Sequence, residues 1–161
     1  MEDEVISAIK QLVGDARKEK DSGKTNKVQV AKTDSIASLG IDSLEIVALT
    51  DVLENRFNLG YVDVSTINDM TVGELCEKVV THNTRIEVKQ KLLELLKELD
   101  PHTDFASSSE DARIFWDWGF DALDVEDLVC KIELRFDVDL SDYNISDYTF
   151  GEVIDCIAEH V

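Results

Sequence analysis

The sequence predicts an all-α protein built from two small helical bundles in tandem. A stretch of the first half recurs in the second half, and the apolar residues of both copies follow helical spacing. Hydrophobic residues make up 43% and charged residues 32% of the 161 residues, which supplies enough apolar material for folded cores and argues against disorder.

The repeat is clearest where Leu39–Glu45 matches Trp118–Asp124 at a shift of 79 positions. The same shift maps one set of apolar residues onto another: Ile46, Leu49, Leu53 and Phe57 onto Val125, Leu128, Ile132 and Phe136. Members of each set are three or four residues apart, so each set forms the buried stripe of an amphipathic helix.

A second pair of matching segments, at a shift of 78, is Thr71–Glu74 and Thr149–Glu152. Each has threonine followed three residues later by glutamate, the pattern of a capping box at the start of a helix. Just before each box, Ile67 and Ile145 lie in short segments that we predict to be one-turn helices. The last helix of each copy therefore begins with this box.

The opening helices of the two copies match more loosely. The first is expected over about Val5–Lys18, with Ile6, Ile9, Leu12 and Val13 on one side. The second is expected to begin at Thr84, capped together with Glu87, and to stop at Asp100–Pro101, because the residue before proline disfavours helical geometry. Each copy then reads as helix, long loop, helix, short helix, helix, with domains 1–83 and 84–161.

The segment Leu39–Ile46 resembles the prosthetic-group attachment site of acyl carrier proteins, since Gly-Ile-Asp-Ser-Leu stands at the head of an acidic amphipathic helix after a long loop. The resemblance covers both copies and implies two tandem acyl-carrier-like up-down bundles of four helices, the third helix short. It also implies a 4′-phosphopantetheine arm on Ser43, flanked by Asp42 and Leu44. The Ile-Asp before the serine is more like acyl carriers than the peptidyl carriers of peptide synthetases.

The implied function is that of an acyl carrier, which holds intermediates as thioesters in fatty-acid, polyketide or related lipid biosynthesis. A carrier of this kind is no enzyme; a phosphopantetheinyl transferase, with coenzyme A, would load Ser43. The alternative is a scaffold or regulatory interaction protein that has the same fold and carries nothing.

The residue types around Ser43 suit this chemistry. Asp42 is expected to cap the helix, with Glu45 closing a capping box, so that Ser43 is the first helical residue and its hydroxyl is free. The partial positive charge of a helix N-terminus would also favour a phosphodiester there.

Leu44 and Val47 lie off the buried stripe, beside Ser43. By resemblance they form an apolar spot that partner enzymes touch, ringed by the acidic side chains of Glu45, Asp51 and Glu54. Such a surface would dock transiently on synthases with basic patches. A merely solvated charged face is the alternative for each acid.

The second copy departs from the pattern because Ala122 stands at the serine position and has no nucleophile. Glu126 replaces the apolar Val47, and residues 85–161 hold 20 acids against 7 Lys/Arg, net −13, whereas residues 1–84 hold 15 against 9, net −6. Two explanations stay open: a native copy that docks or positions enzymes, or an engineered substitution that leaves one modification site.

The net charge of −19 excludes nucleic acid as an obvious partner, since phosphates would be repelled. Met1–Val5 has neither the basic nor the apolar region of a secretory signal, and no segment has the roughly 20 apolar residues of a membrane span. We therefore expect a cytoplasmic protein without a membrane span, and a monomer.

No metal site is predicted. The three cysteines, Cys76, Cys130 and Cys156, lie in apolar helical segments and are expected to be reduced packing residues. The histidines are scattered, and the EF-hand-like start at Asp137 has Asp142 where the loop needs glycine. Phe115, Trp116, Trp118 and Phe120 are expected to cover a helical core rather than to stack on a ligand.

Overall fold

The computed structural model describes residues 1–20, 29–59 and 63–161. It describes the side chains of these residues except those of 16–20 and 115. The chain is all-α, as predicted. Its α-helices are α1 (Glu2–Lys20), α2 (Ser43–Phe57), α3 (Val64–Asp69), α4 (Val72–Leu99), α5 (Ile114–Asp117), α6 (Ala122–Phe136) and α7 (Phe150–Ala158), and 3₁₀ turns span Ile36–Leu39, Phe105–Ser107 and Ile145–Asp147. Over the described ranges no strand forms, only isolated bridges that join Ser35 to Thr71 and Arg113 to Thr149.

The chain divides into two compact units, Met1–Asn83 and Thr84–Val161. In unit 1, α1 and α3 pack against α2, and the apolar stripe of α2 (Ile46, Leu49, Leu53 and Phe57) is buried as its spacing predicts. Burying such a stripe removes apolar area from water, which is the main force holding a small bundle together.

Unit 2 has its own core, made by α4 from Val88 onward, α6 and α7. Val125, Leu128 and Ile132 of the predicted stripe are buried. Phe136, the last member, is only half-buried, and the Lys91 ammonium lies 5.9 Å from the centre of its ring.

One backbone arrangement occurs in both units and explains a pair of glycines. The Gly73 amide donates to the Lys32 carbonyl at 2.8 Å, and the Gly151 amide donates to the Glu110 carbonyl at 2.8 Å. A Cβ at either glycine would lie 3.1 Å or 3.2 Å from that same carbonyl oxygen, closer than a side chain normally comes. A side chain at either position would have to displace the carbonyl, so glycine is favoured where the first loop of each unit crosses the start of the last helix.

Two expectations were wrong, one for the helix start at Thr84 and one for the burial of Cys130. No helix begins at Thr84, which lies inside the continuous α4; a helical residue there has its amide bonded to the preceding turn, so no cap is needed. The one-turn helix predicted at Ile145 is present, as the 3₁₀ helix Ile145–Asp147. Cys130 is exposed and does not pack in the core, because it lies on the side of α6 opposite the buried stripe.

The other two cysteines do pack. Cys76 and Cys156 are buried, and desolvation by burial raises the pKa of both thiols, which keeps them protonated. The end predicted for α4 is confirmed, because the helix stops at Leu99, just before Asp100–Pro101.

Candidate functional site

The site is built on the turn that leads into α2. Gly40 has φ +74°, a left-handed conformation that suits glycine, and it ends the preceding 3₁₀ turn. Asp42 follows in extended geometry as the N-cap residue. Its carboxylate accepts the amides of Leu44 and Glu45 at 3.0 Å each, and its own amide donates to the Glu45 carboxylate at 2.5 Å. The predicted capping box is confirmed.

Ser43 is the first residue of α2, and it is exposed. Among the described residues, nothing forms a hydrogen bond with its hydroxyl. Since Asp42 accepts the first-turn amides, the helix start does not depend on the serine side chain. The hydroxyl is therefore open to an incoming reagent from the solvent side.

The N-terminus of α2 was expected to present partial positive charge, but two carboxylates lie beside it. Two first-turn amides already point at the Asp42 carboxylate, and the Glu45 carboxylate lies against the same turn. A phosphodiester at Ser43 would meet two carboxylates near the available amides. Repulsion between like charges then favours an orientation in which the group projects into water.

Apolar side chains flank Ser43 on the outer side of α2. Leu44 is 78% exposed and Val47 is 43% exposed, so both apolar side chains meet water here. They lie off the buried stripe, as the sequence predicts. Together with Ser43 they form a small apolar surface around one hydroxyl.

The acids predicted to ring this surface are not equally close to it. Glu45 belongs to the capping box itself, whereas Asp51 and Glu54 lie eight and eleven residues after Ser43, about 12 Å and 16 Å along the helix. Asp51 also lines a groove of about 390 Å³ between α1 and α2, with Leu12 and Arg56 among its walls. The three acids are therefore spread along α2 and do not surround Ser43.

Unit 2 reproduces the same turn without the hydroxyl. Gly119 has φ +71°, and the Asp121 carboxylate accepts the amides of Leu123 and Asp124 at 2.8 Å and 3.0 Å. The Asp124 carboxylate accepts the Asp121 amide at 2.9 Å, which closes the second capping box. Ala122 is the exposed first residue of α6, so the two sites differ at the one position where the nucleophile would be.

The aromatic segment before α6 belongs mainly to the core. The rings of Phe105, Phe120 and Phe150 lie edge-on to half-buried Trp118, with centroids 5.0 to 6.1 Å apart. The Trp118 indole donates to the Ser108 hydroxyl at 3.2 Å. Trp116 is 70% exposed, against the expectation that it covers the core, and the side chain of Phe115 lies outside the described residues.

Sequence reasoning missed an ion network in unit 2. Glu110 accepts from Arg85 and Lys89 at 2.6 Å each, and Arg85 also donates to Asp155 at 2.6 Å. Hydrogen bonds from Arg85 and Lys89 lower the pKa of Glu110 to about 2. The network ties the loop that meets Gly151 to α4 and α7, and no spacing rule links residues 85, 110 and 155.

Within the described ranges, His, Cys, Asp and Glu side chains form no cluster of three or more that could hold a metal ion. The helices described here are each too short or too polar to cross a bilayer. Comparison with protein-family models, with curated proteins and with solved structures gives no match to this chain.

Proposed function

We propose that the protein is an acyl carrier whose Ser43 bears a 4′-phosphopantetheine arm. The observation that carries the proposal is an exposed serine at the first position of α2 whose capping duties are met by Asp42. Leu44 and Val47 beside it are exposed apolar residues. The surroundings fit the group, because the hydroxyl is accessible and nothing described covers it.

Loading is a substitution at phosphorus. The Ser43 oxygen attacks the β-phosphorus of coenzyme A, the bond to the leaving 3′,5′-adenosine bisphosphate breaks, and the hydroxyl proton passes to a base on the transferase. The arm, once attached, supplies a thiol that holds acyl groups as thioesters. The chain itself contributes the hydroxyl, a fixed helix start and a docking surface, and it catalyses no step.

The proposal includes the fold type of both units, an up-down bundle of carrier type. Its support is the agreement between the two helix starts, with the same capping box, the same left-handed glycine and the same crossing of loop and last helix. Unit 2 is then a carrier-like unit without a cargo site, since Ala122 offers no oxygen.

Partners would approach the outer side of α2. Leu44 and Val47 supply the apolar contact, and Glu45, Asp51 and Glu54 supply negative charge for basic patches on a transferase or synthase. Association with such patches should weaken as salt screens the charges.

The direct test is the intact mass of the full chain after incubation with coenzyme A and a broad-specificity phosphopantetheinyl transferase. We expect one added phosphopantetheine, mapped by peptide fragmentation to Ser43, and none on Ser43→Ala. Ser65→Ala is the matched control, because Ser65 is also an exposed serine in the first turn of a helix capped by an aspartate.

The possible failures have different meanings. A chain that stays unmodified under these conditions supports the scaffold alternative and contradicts the carrier proposal. Two additions contradict the assignment of Ala122 as silent. Modification that persists in Ser43→Ala contradicts the assignment of the site.

A further inference from the structure

The outward side of α6 (Ala122–Phe136) is more apolar than its role in the fold requires. Leu123 is 73% exposed and Leu134 is 88% exposed, and Cys130 between them is exposed as well. The opposite side of the same helix is the one buried in unit 2: Val125, Leu128 and Ile132. Nothing in the core of unit 2 explains the outward residues.

These three residues form a line. Their spacings of seven and four residues place them within a narrow arc of a helix with 3.6 residues per turn, and the line is about 16 Å long. We call Leu123, Cys130 and Leu134 the outer stripe of α6. Between Leu123 and Cys130 the same side of the helix has Glu126 and Asp127, so the stripe combines apolar and acidic side chains in a line that suits the groove contact of another helix.

The repeat does not account for the outer stripe. At the equivalent positions α2 has Leu44, Asp51 and Asn55, so only the first position is apolar in both units. The unit that lacks the serine is the one with the longer apolar ridge. A surface that served loading alone would have no reason to extend to Leu134.

The charges around the outer stripe indicate what covers it. The cations of α6 are paired within unit 2: Lys131 with Asp127 at 3.0 Å, and Arg135 with Glu94 and Glu98 at 3.5 Å each. The exposed Glu126 beside the stripe has no such ion pair among the described residues. With residues 85–161 at 20 acids against 7 Lys/Arg, this surface repels a second copy of itself and attracts cations.

We propose that the outer stripe of α6 docks a cationic amphipathic helix of a partner protein. Leucine-type side chains of that helix cover Leu123, Cys130 and Leu134, and its lysines or arginines face Glu126 and the other acids of unit 2. This docking needs no arm on Ser43, so it goes beyond the proposed carrier function and stands or falls separately.

The test uses the full chain and a synthetic helical peptide with leucines on one face and lysines on the other. A scrambled peptide of the same composition has the same charge without the leucine face. By fluorescence anisotropy at about 0.15 M salt, where long-range attraction is screened, we expect the amphipathic peptide to bind at least about tenfold more tightly than the scrambled one.

Substitutions locate the binding surface. Leu123→Asn with Leu134→Asn should remove the difference between the two peptides, while Val161→Asn, at another exposed apolar residue of unit 2, should leave it unchanged. Because Leu123, Leu134 and Val161 are all exposed, these variants should keep the helical circular dichroism of the parent, which is the check on folding.

Three outcomes would overturn the proposal. Equal binding of both peptides would show attraction by charge alone. Equal loss from Val161→Asn and from the double leucine variant would show that the outer stripe has no special role. Concentration-dependent dimerisation of the chain that Leu134→Asn abolishes would show that a second copy covers the stripe.

Discussion

Replacing Asp42 should destabilise the folded protein, whereas replacing its neighbour Ser43 should have little effect on stability. Asp42→Ala removes the acceptor of two amides and leaves only the bond from the amide of residue 42 to the Glu45 carboxylate. Loss of an N-cap of this type costs about 1 kcal/mol, within a range of roughly 0.5 to 2. Ser43→Ala removes an exposed hydroxyl that forms no hydrogen bond with a described residue, so its cost should stay below about 0.5 kcal/mol.

Unit 2 supports the second value, since it already has alanine at this position. The Asp121 box around Ala122 has amide-to-carboxylate distances of 2.8 Å and 3.0 Å, against 3.0 Å and 3.0 Å in the Asp42 box. An alanine at the first helical position therefore leaves the cap geometry intact.

The assay can separate the units because both tryptophans, Trp116 and Trp118, lie in unit 2. Tryptophan fluorescence in a urea titration reports unit 2, whereas far-ultraviolet circular dichroism reports the helices of both units. With a urea m value near 1 kcal/mol/M for a small domain, Asp42→Ala should shift the dichroism transition of unit 1 down by about 1 M. The fluorescence transition should not move, and the matched Asp121→Ala variant should shift it instead.

Two results would refute this reasoning. The first is a Ser43→Ala variant that loses as much stability as Asp42→Ala, because the serine would then be a structural residue of the helix start. The second is an Asp42→Ala variant with unchanged transitions, because the capping box would then contribute nothing.

Three further predictions use the same readouts. The pKa of Glu110 is about 2, against an ordinary 4.5, so its ion network stabilises unit 2 above pH 4.5 and this stabilisation is lost as the pH falls towards 2. The urea midpoint measured by fluorescence should therefore converge with that of Glu110→Gln between pH 4.5 and pH 2. A difference in midpoint that stays constant over this interval would contradict the prediction. Gly151→Ala places a Cβ 3.2 Å from the Glu110 carbonyl oxygen and should destabilise unit 2 by about 1–3 kcal/mol, while Gly73→Ala should leave the fluorescence transition in place. Ala122→Ser restores a hydroxyl on an already capped helix start, so the intact mass should show a second phosphopantetheine; a single addition would mean that features beyond the turn decide loading.

Local chemistry was predictable from the sequence where it depends on neighbours along the chain. The capping box of Asp42 and Glu45, and that of Thr149 and Glu152, needs only the right residues three positions apart, and both are formed. Backbone and side-chain hydrogen bonds from Thr149 lower the pKa of Glu152, as a reciprocal cap should. The buried stripe of α2 followed from helical spacing in the same way.

The same kind of rule failed at Thr84 for a physical reason. Thr84 and Glu87 have capping-box spacing, but the residues before them continue the helix from Val72, and a cap forms only where first-turn amides lack partners. The spacing occurs at the starts of α2, α6 and α7 but is equally compatible with the middle of a helix.

Other features depend on contacts between distant segments. The carbonyls of Lys32 and Glu110 lie 41 residues before the glycines they meet, so no local pattern shows why Gly73 and Gly151 are glycines. The repeat gave an indirect sign, since a glycine occurs at both positions. The pairing of Arg85 with Glu110 has a charge-reversed counterpart in unit 1, where Lys32 donates to Glu2 at 2.6 Å, so matching residue types between the copies could not predict it.

The comparison of the two helix starts explains how stability and proposed function can be separated in this chain. If Ser43 itself capped α2, the alanine at position 122 would leave the start of α6 short of an acceptor, and unit 2 would lose stability with its hydroxyl. Because the aspartate carries that task in both units, position 43 or 122 can be serine or alanine with little effect on folding. The outward residues of unit 2, from Leu123 to Leu134, are then free of any requirement set by an arm, and their exposed apolar surface needs its own explanation.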